Sequence, residues 1–312
     1  MRSNDWWRGI GLVVAMVAAC GGDRAGSTGE GGSIEIDGSS TVFLISEAVA
    51  EEFSIARGSE VGVTVAFSGT GGGFKRFCAG EIDIADASRE IKSTEAEECA
   101  ANGVEYDRYE VALDGIAVVA NPANEFAQCL TVDELRSIWS PPSTVRTWAE
   151  VRPEWPAQPL KLYGADTNSG TFDYFTEAVV GEEGASRSDY TASSDDNVLV
   201  QGVEGDAQAL GYLPFAYYEE NQGRLKLLAV DGGSGCVTPS APSIRTGEYA
   251  PLSRPLFIYV SRSAMQRPVV GDFLRFYLEQ APELSREVGY VPLEPGRYTE
   301  QLSGLGSAGS GD

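Results

Sequence analysis

The sequence contains no histidine. That absence excludes a Ser-His-Asp or Cys-His nucleophile system and any metal site built on imidazole. Positive charge is scarce: 23 Lys and Arg stand against 46 Asp and Glu, a formal net charge of −23. Such a balance argues against nucleic acid and against an anionic membrane surface as partners. Its ordinary meaning is a solvated acidic surface rather than a metal-binding role. Cysteine is rare, five in 312 residues, and no two are spaced C-x-x-C, which argues against a thiol-redox enzyme. The apolar run Ile10 to Ala19 is ten residues long, half of the ~20 that a membrane-spanning helix requires.

That short run has another use. Preceded by Arg2 and Arg8, it fits the apolar region of an export signal, residues 1–19. Val17-Ala18-Ala19-Cys20 resembles the bacterial lipobox, in which the cysteine is lipidated and becomes the first residue of the mature chain. The expected product is exported and lipid-anchored through Cys20 at the cell envelope. Removing residues 1–19 takes away two arginines and one aspartate and leaves a charge of −24. Residues 20–33, rich in Gly and Ser, read as a flexible tether. Four cysteines then remain: Cys78, Cys99, Cys129 and Cys236. An even number in an exported chain suggests two disulfides, with three connectivities open. Cys78 and Cys99 flank one compact segment and are the favoured pair, leaving Cys129 with Cys236.

With 42% hydrophobic residues, the chain has enough apolar surface for one or two domains of ordinary size. One local pattern returns three times. Ile34-Glu-Ile36 alternates as a strand, Asp37-Gly-Ser-Ser-Thr41 follows, and a helix begins near Val42 with Val42, Ile45, Val49 and Phe53 on one face and Gly58 at its end. The alternating run from Val61 to Phe67 leads into Ser68-Gly-Thr-Gly-Gly-Gly and the short segment 74–79. Leu160-Lys-Leu162 leads through Tyr163-Gly-Ala-Asp-Thr-Asn-Ser-Gly-Thr171 into a helix carrying Phe172, Phe175 and Val179, with Gly181 past its end. Each turn sets hydroxyls beside N–H groups that a first helical turn leaves unpaired, an arrangement suited to an anion. A single such turn would be ordinary N-capping. Three that converge would make a site.

Nucleotide-binding patterns fail in detail. Both G-x-x-x-x-G-K-[ST] and G-x-G-x-x-G, started at Gly69, require a glycine where Phe74 stands. Lys75 and Arg76 therefore read as helix-surface charges. A fourth segment, Glu81-Ile-Asp-Ile-Ala-Asp-Ala-Ser-Arg89, alternates like a strand and ends in Ser88 and Arg89; Thr94 and Glu97 then form a capping-box pattern. An arginine at a strand end beside a serine can act as the fixed cation of an oxyanion site.

IEIDGSSTV, AFSGTGGGFKRFCAGEIDIADASR and NSGTFDYFTEAVVGEEGASRSDYTASSDDNVLVQGV resemble, in order, the phosphate-binding lipoproteins of Pst-type ABC importers, over residues 34–302. The resemblance implies an α/β periplasmic-binding-protein fold: two lobes joined by a hinge, with the ligand cleft between them. Lobe I would comprise residues 34–116 and 254–302, lobe II residues 117–253, and 303–312 a flexible tail. Tyr212 to Tyr218 would be core and hinge packing. The implied function is high-affinity binding of inorganic phosphate and delivery to an ABC permease, by a monomer with no cofactor, no metal and no catalysis.

The same resemblance places the phosphate contacts on Ser40, Thr41, the backbone of Val42, Ser68, Ser169, Gly170 and Thr171. Here the chain departs from the familiar family pattern. Ala165 stands where an arginine is expected and Ser88-Arg89 where a carboxylate is expected, so Arg89 would supply the cation. The carboxylate that accepts the proton of phosphate would be Asp166 or, second, Asp114, and both have an alternative use in orienting Arg89. Receptors for sulfate, molybdate or arsenate are the nearest alternative function, and a metal-dependent phosphate-ester hydrolase a more distant one.

Overall fold

The computed structural model describes residues 32–57, 61–167 and 169–307. The export signal, Cys20, the tether as far as residue 31, and Gly58 lie outside the described residues. The first strand–helix units are β1 (Ile34–Gly38), α1 (Ser40–Arg57), β2 (Val63–Val65), α2 (Thr70–Cys78), β3 (Ile84–Ala87) and α3 (Ser93–Ala101). The long β4 (Tyr106–Ala120) follows, then β5 (Cys129–Thr131), α4 (Val132–Trp139), α5 (Trp148–Val151), β6 (Lys161–Ala165) and α6 (Gly170–Phe175). A π-helical turn (Thr176–Val180) extends α6. Next come β7 (Thr191–Ser193), α7 (Asp196–Gly205), β8 (Ala209–Pro214), α8 (Phe215–Glu220), β9 (Lys226–Leu227), β10 (Ala229–Asp231), β11 (Cys236–Val237) and α9 (Ala241–Thr246). β12 (Ser253–Ser261), α10 (Pro268–Glu287) and α11 (Pro295–Ser307) complete the described chain.

The main sheet runs β2-β1-β3-β12-β4-β8-β6-β7, with β9 also on β4. β1 pairs in parallel with β2 and β3, and β6 with β7 and β8. Between these groups β4 is shared: it pairs with β12 as far as Gly115 and with β8 from Ile116 onward. The change of partner falls at 115/116, and β12 brings the chain back to pair with β4 from Ser253.

Periodicity predicts the packing of α1 well. Val42, Ile45, Val49 and Phe53 are all buried, and Phe53 meets Phe273 and Phe276 of α10 edge-on at 5.2 and 5.3 Å. Beyond β4 a second aromatic group forms, in which Tyr212 stacks on Phe175 at 3.8 Å and Trp139 packs edge-on against both. Tyr212 and Phe215 are both buried in the core. Cys78 pairs with Cys99, joining α2 to α3, and Cys129 with Cys236, joining β5 to β11.

Several local expectations change. α3 begins at Ser93, and the side chain that caps it is Glu95, whose carboxylate accepts the Lys92 N–H at 2.8 Å. Glu95 is fixed there because it also grips Arg89, so the Thr94–Glu97 pattern is not the one used. The glycines of the second turn serve packing: a Cβ on Gly73 would lie 2.5 Å from Gly38 Cα, and one on Gly72 2.6 Å from Ser68 Oγ. Arg76 is more than a surface charge, since its Nη1 binds the buried Asp37 carboxylate at 2.5 Å. Of the expected tail 303–312, residues 303–307 continue α11, and 308–312 lie outside the described residues.

Candidate functional site

The carboxyl ends of parallel strands are where α/β folds place ligands, because there the loops turn into helix N-termini. Here β1 ends at Gly38 and α1 starts at Ser40; β2 leads through Ser68 and Gly69 into α2; β3 ends at Ala87 before Ser88. The β6–α6 turn meets them from across β4. Its approach is close. Gly170 lies so near Thr41 that a Cβ there would sit 2.6 Å from Thr41 Oγ1 and 2.9 Å from the Thr41 backbone. The Thr41 hydroxyl faces the Gly170 carbonyl at 3.4 Å.

These turns enclose a small cavity lined by Ser39, Ser40, Thr41, Gly69, Thr70, Ser88, Asp173, Glu177, Glu183 and Arg254. Of the residues singled out from sequence, Ser40, Thr41 and Ser88 line it. Ser169, Gly170 and Thr171 line an adjoining groove of about 360 Å³ that shares Ser40 with the cavity. Ser169 caps α6, its Oγ accepting the Thr171 N–H at 3.2 Å. Val42 is fully buried, and its N–H points to Ser39 Oγ at 3.5 Å. The Ser68 hydroxyl donates to Asp37 Oδ2 at 3.1 Å and does not line the cavity. In its place the second turn supplies Thr70, whose Oγ1 lies 3.1 Å from Ser88 Oγ and accepts the Ser88 N–H at 3.2 Å.

The cation in the cavity is Arg254, which sequence reading missed. Its Nη2 donates to Thr41 Oγ1 at 3.0 Å, and its guanidinium lies over the Tyr174 ring, 3.7 Å from the centroid. Nε approaches Asp114 at 3.5 Å and Nη1 approaches Glu177 at 3.6 Å. Arg254 and Asp114 are directly opposite in the β12–β4 register. Asp114 is only 1% exposed, and burial raises its pKa against the pull of Arg254. Arg89 is turned elsewhere: Nη1 and Nη2 form a two-pronged pair with Glu95 at 2.8 Å each, and the guanidinium covers Phe74. Burial pushes Glu95 up, but Arg89 and the Lys92 N–H outweigh it and hold the carboxyl low. Asp166 does not line the cavity; its main chain shapes the β6–α6 turn, bonding to Ser193 and Ser169.

A family model described as "PBP superfamily domain" matches residues 23–281. Protein SphX of Synechocystis is 48% identical over 93% of this chain and 85% of its own. The phosphate-binding protein PstS of Staphylococcus saprophyticus is 38% identical over 93% of this chain and 90% of its own. The chain belongs to the Pst-type phosphate-binding protein family. Its fold is the two-lobed α/β fold of that family: a crystal structure of a possible phosphate-binding protein from Planctomyces limnophilus superimposes with a TM-score of 0.85. That protein is 51% identical, and the match covers 90% of this chain and 99% of that one. The fold extends to an ABC-type phosphate transport receptor from Vibrio cholerae, at TM-score 0.65 and 24% identity.

Proposed function

We propose that this chain is the phosphate receptor of an ABC importer, and that inorganic phosphate binds in the cavity at the N-termini of α1 and α2. The observation that carries the reading is the Arg254 guanidinium, held by Asp114 and Thr41 and aimed among four hydroxyls, those of Ser40, Thr41, Thr70 and Ser88. A guanidinium and a set of hydroxyl and N–H donors match the acceptor oxygens of a tetrahedral oxyanion. The helix N-termini favour the same charge. Membership of the family selects phosphate among such anions. Short-range bonds in a shielded cleft also reconcile an anionic ligand with a chain of net charge −23, since surface charges beyond a Debye length of ~8–10 Å are screened.

The β4 partner change at 115/116 and the return at 253 are the proposed hinge, with residues 34–116 and 254–302 moving against 117–253. Closure brings Gly170 against Thr41 and so completes the cavity from both sides. Lipidation at Cys20 would hold the receptor at the membrane face of its permease. Calorimetric titration of the mature chain with phosphate and with sulfate tests the function. One phosphate should bind per chain, with sulfate much weaker. Absence of phosphate binding, or equal binding of the two, would overturn it.

A further inference from the structure

The groove beside the anion cavity has a chemistry of its own. Its volume of about 360 Å³ is more than a bare tetrahedral ion needs and falls within the ~300–1,000 Å³ of small-molecule sites. Four aromatic rings line it from four different segments: Phe43 of α1, Phe67 before α2, Tyr217 of α8 and Tyr290 after α10. Phe67 meets Phe43 edge-on at 5.1 Å yet stays 62% exposed. Among the described residues, the one charged group lining the groove is Asp196, and no lysine or arginine joins it. The groove and the Arg254 cavity meet at Ser40, which lines both.

Folding gives Asp196 no partner. The cap of α7 is its neighbour Asp195, whose Oδ1 accepts the Asn197 N–H at 2.9 Å. Among the described residues, the Asp196 carboxylate accepts no hydrogen bond and forms no ion pair. Burial, and then Asp195, raises its pKa to about 7, the direction expected of a carboxyl with no cation beside it. Tyr217 lies near enough that, after burial, the charge of Asp196 raises its pKa in turn. A half-buried carboxylate among aromatic faces suits an organic ammonium group, which gains an opposite charge and the ring faces together. We propose that the site also takes a phosphate monoester or phosphonate with a short cationic tail, its phosphoryl group against Arg254 in the cavity and its ammonium group in the groove with Asp196, Tyr217 and Tyr290. The tail leaves the cavity past Ser40. An apolar tail keeps the ring contacts and loses the charge, whereas an anionic tail meets Asp196 as a like charge. This inference rests on the phosphate reading above, because the phosphoryl group uses the same cavity.

The test is calorimetry of the mature wild-type chain with inorganic phosphate, 2-aminoethyl phosphate, propyl phosphate and 2-phosphoglycolate. A pH of about 8 keeps the amine protonated and Asp196 ionised. 2-Aminoethyl phosphate should bind about tenfold or more tighter than propyl phosphate, which matches it in size, and 2-phosphoglycolate should bind weakest. Asp196→Asn should remove that preference and leave the affinity for inorganic phosphate unchanged, since Asp196 does not line the cavity. A wild type that binds inorganic phosphate but none of the three organic ligands, or that binds the aminoethyl and propyl esters equally, would overturn the inference and leave the receptor reading intact. Failure of the wild type to bind inorganic phosphate would overturn that reading itself. An unchanged preference in Asp196→Asn would overturn the assignment to Asp196, and because the wild-type comparison needs no variant, a misfolded variant does not rescue the proposal.

Discussion

Replacing Arg254 by alanine should damage stability and binding by separable routes. Arg254 is 12% exposed and Asp114 1%, so removing the guanidinium strands a buried carboxylate opposite it on β4. Breaking such a pair from one side typically costs about 3–5 kcal/mol. At roughly 2–4 °C per kcal/mol, the melting temperature should fall by roughly 10 °C. The deficit should depend on pH. Burial already raises the Asp114 pKa, and loss of Arg254 raises it further. A carboxyl whose folded pKa lies above its unfolded value loses stability as pH rises through that interval, so the variant should be worst near neutrality and recover toward pH ~4. Adding Asp114→Asn removes the stranded charge and should restore most of the lost stability. It should not restore phosphate binding. Loss of one or two charge-assisted bonds, about 1.5–3 kcal/mol each, weakens affinity by between about tenfold and about 10⁴-fold. Thermal melts between pH 4 and 8 and phosphate titrations of the single and double variants separate the effects. A double variant that binds phosphate like wild type would refute the placement of the cation, and a single variant as stable as wild type would refute the buried pair.

Arg89→Ala should leave phosphate affinity within about threefold, because that guanidinium is committed to Glu95; a loss as large as that of the Arg254 variant in the same titration would contradict it. Gly170→Ala should weaken binding about tenfold or more while leaving the melting temperature little changed, since its Cβ would hold the α6 turn off Thr41 in the closed form only. Unchanged affinity would show that closure does not bring these two turns together. Replacing Cys129 and Cys236 by serine opens a link across 107 residues of chain and should cost about 2–4 kcal/mol in denaturant unfolding, with phosphate affinity retained, because neither cysteine lines the cavity.

The residues legible in sequence were those whose role is local. The buried face of α1 follows from helical spacing, and Ser40, Thr41 and Ser88 follow from their positions at strand ends. Arg254 was not legible. It lies 213 residues from the Thr41 hydroxyl it serves, and only the pairing of β12 with β4 sets it opposite Asp114. Arg89 drew attention because it adjoins Ser88, yet the decisive partner, Glu95, is six residues on, where a carboxylate looks like an ordinary cap. Sequence points to Ser68 and not to Thr70, because only the fold shows that Asp37 claims the serine hydroxyl. Asp173 and Glu177 did carry a readable signal: they stand four residues apart, on one helical face just after Ser-Gly-Thr. That spacing points both into the cavity.

A crystal structure of the mature chain with phosphate bound would test where the anion sits and what holds it. We expect its oxygens within about 3 Å of the Arg254 guanidinium and of the Thr41, Thr70 and Ser88 hydroxyls. Phosphate held by Arg89, or bound away from the N-termini of α1 and α2, would contradict it.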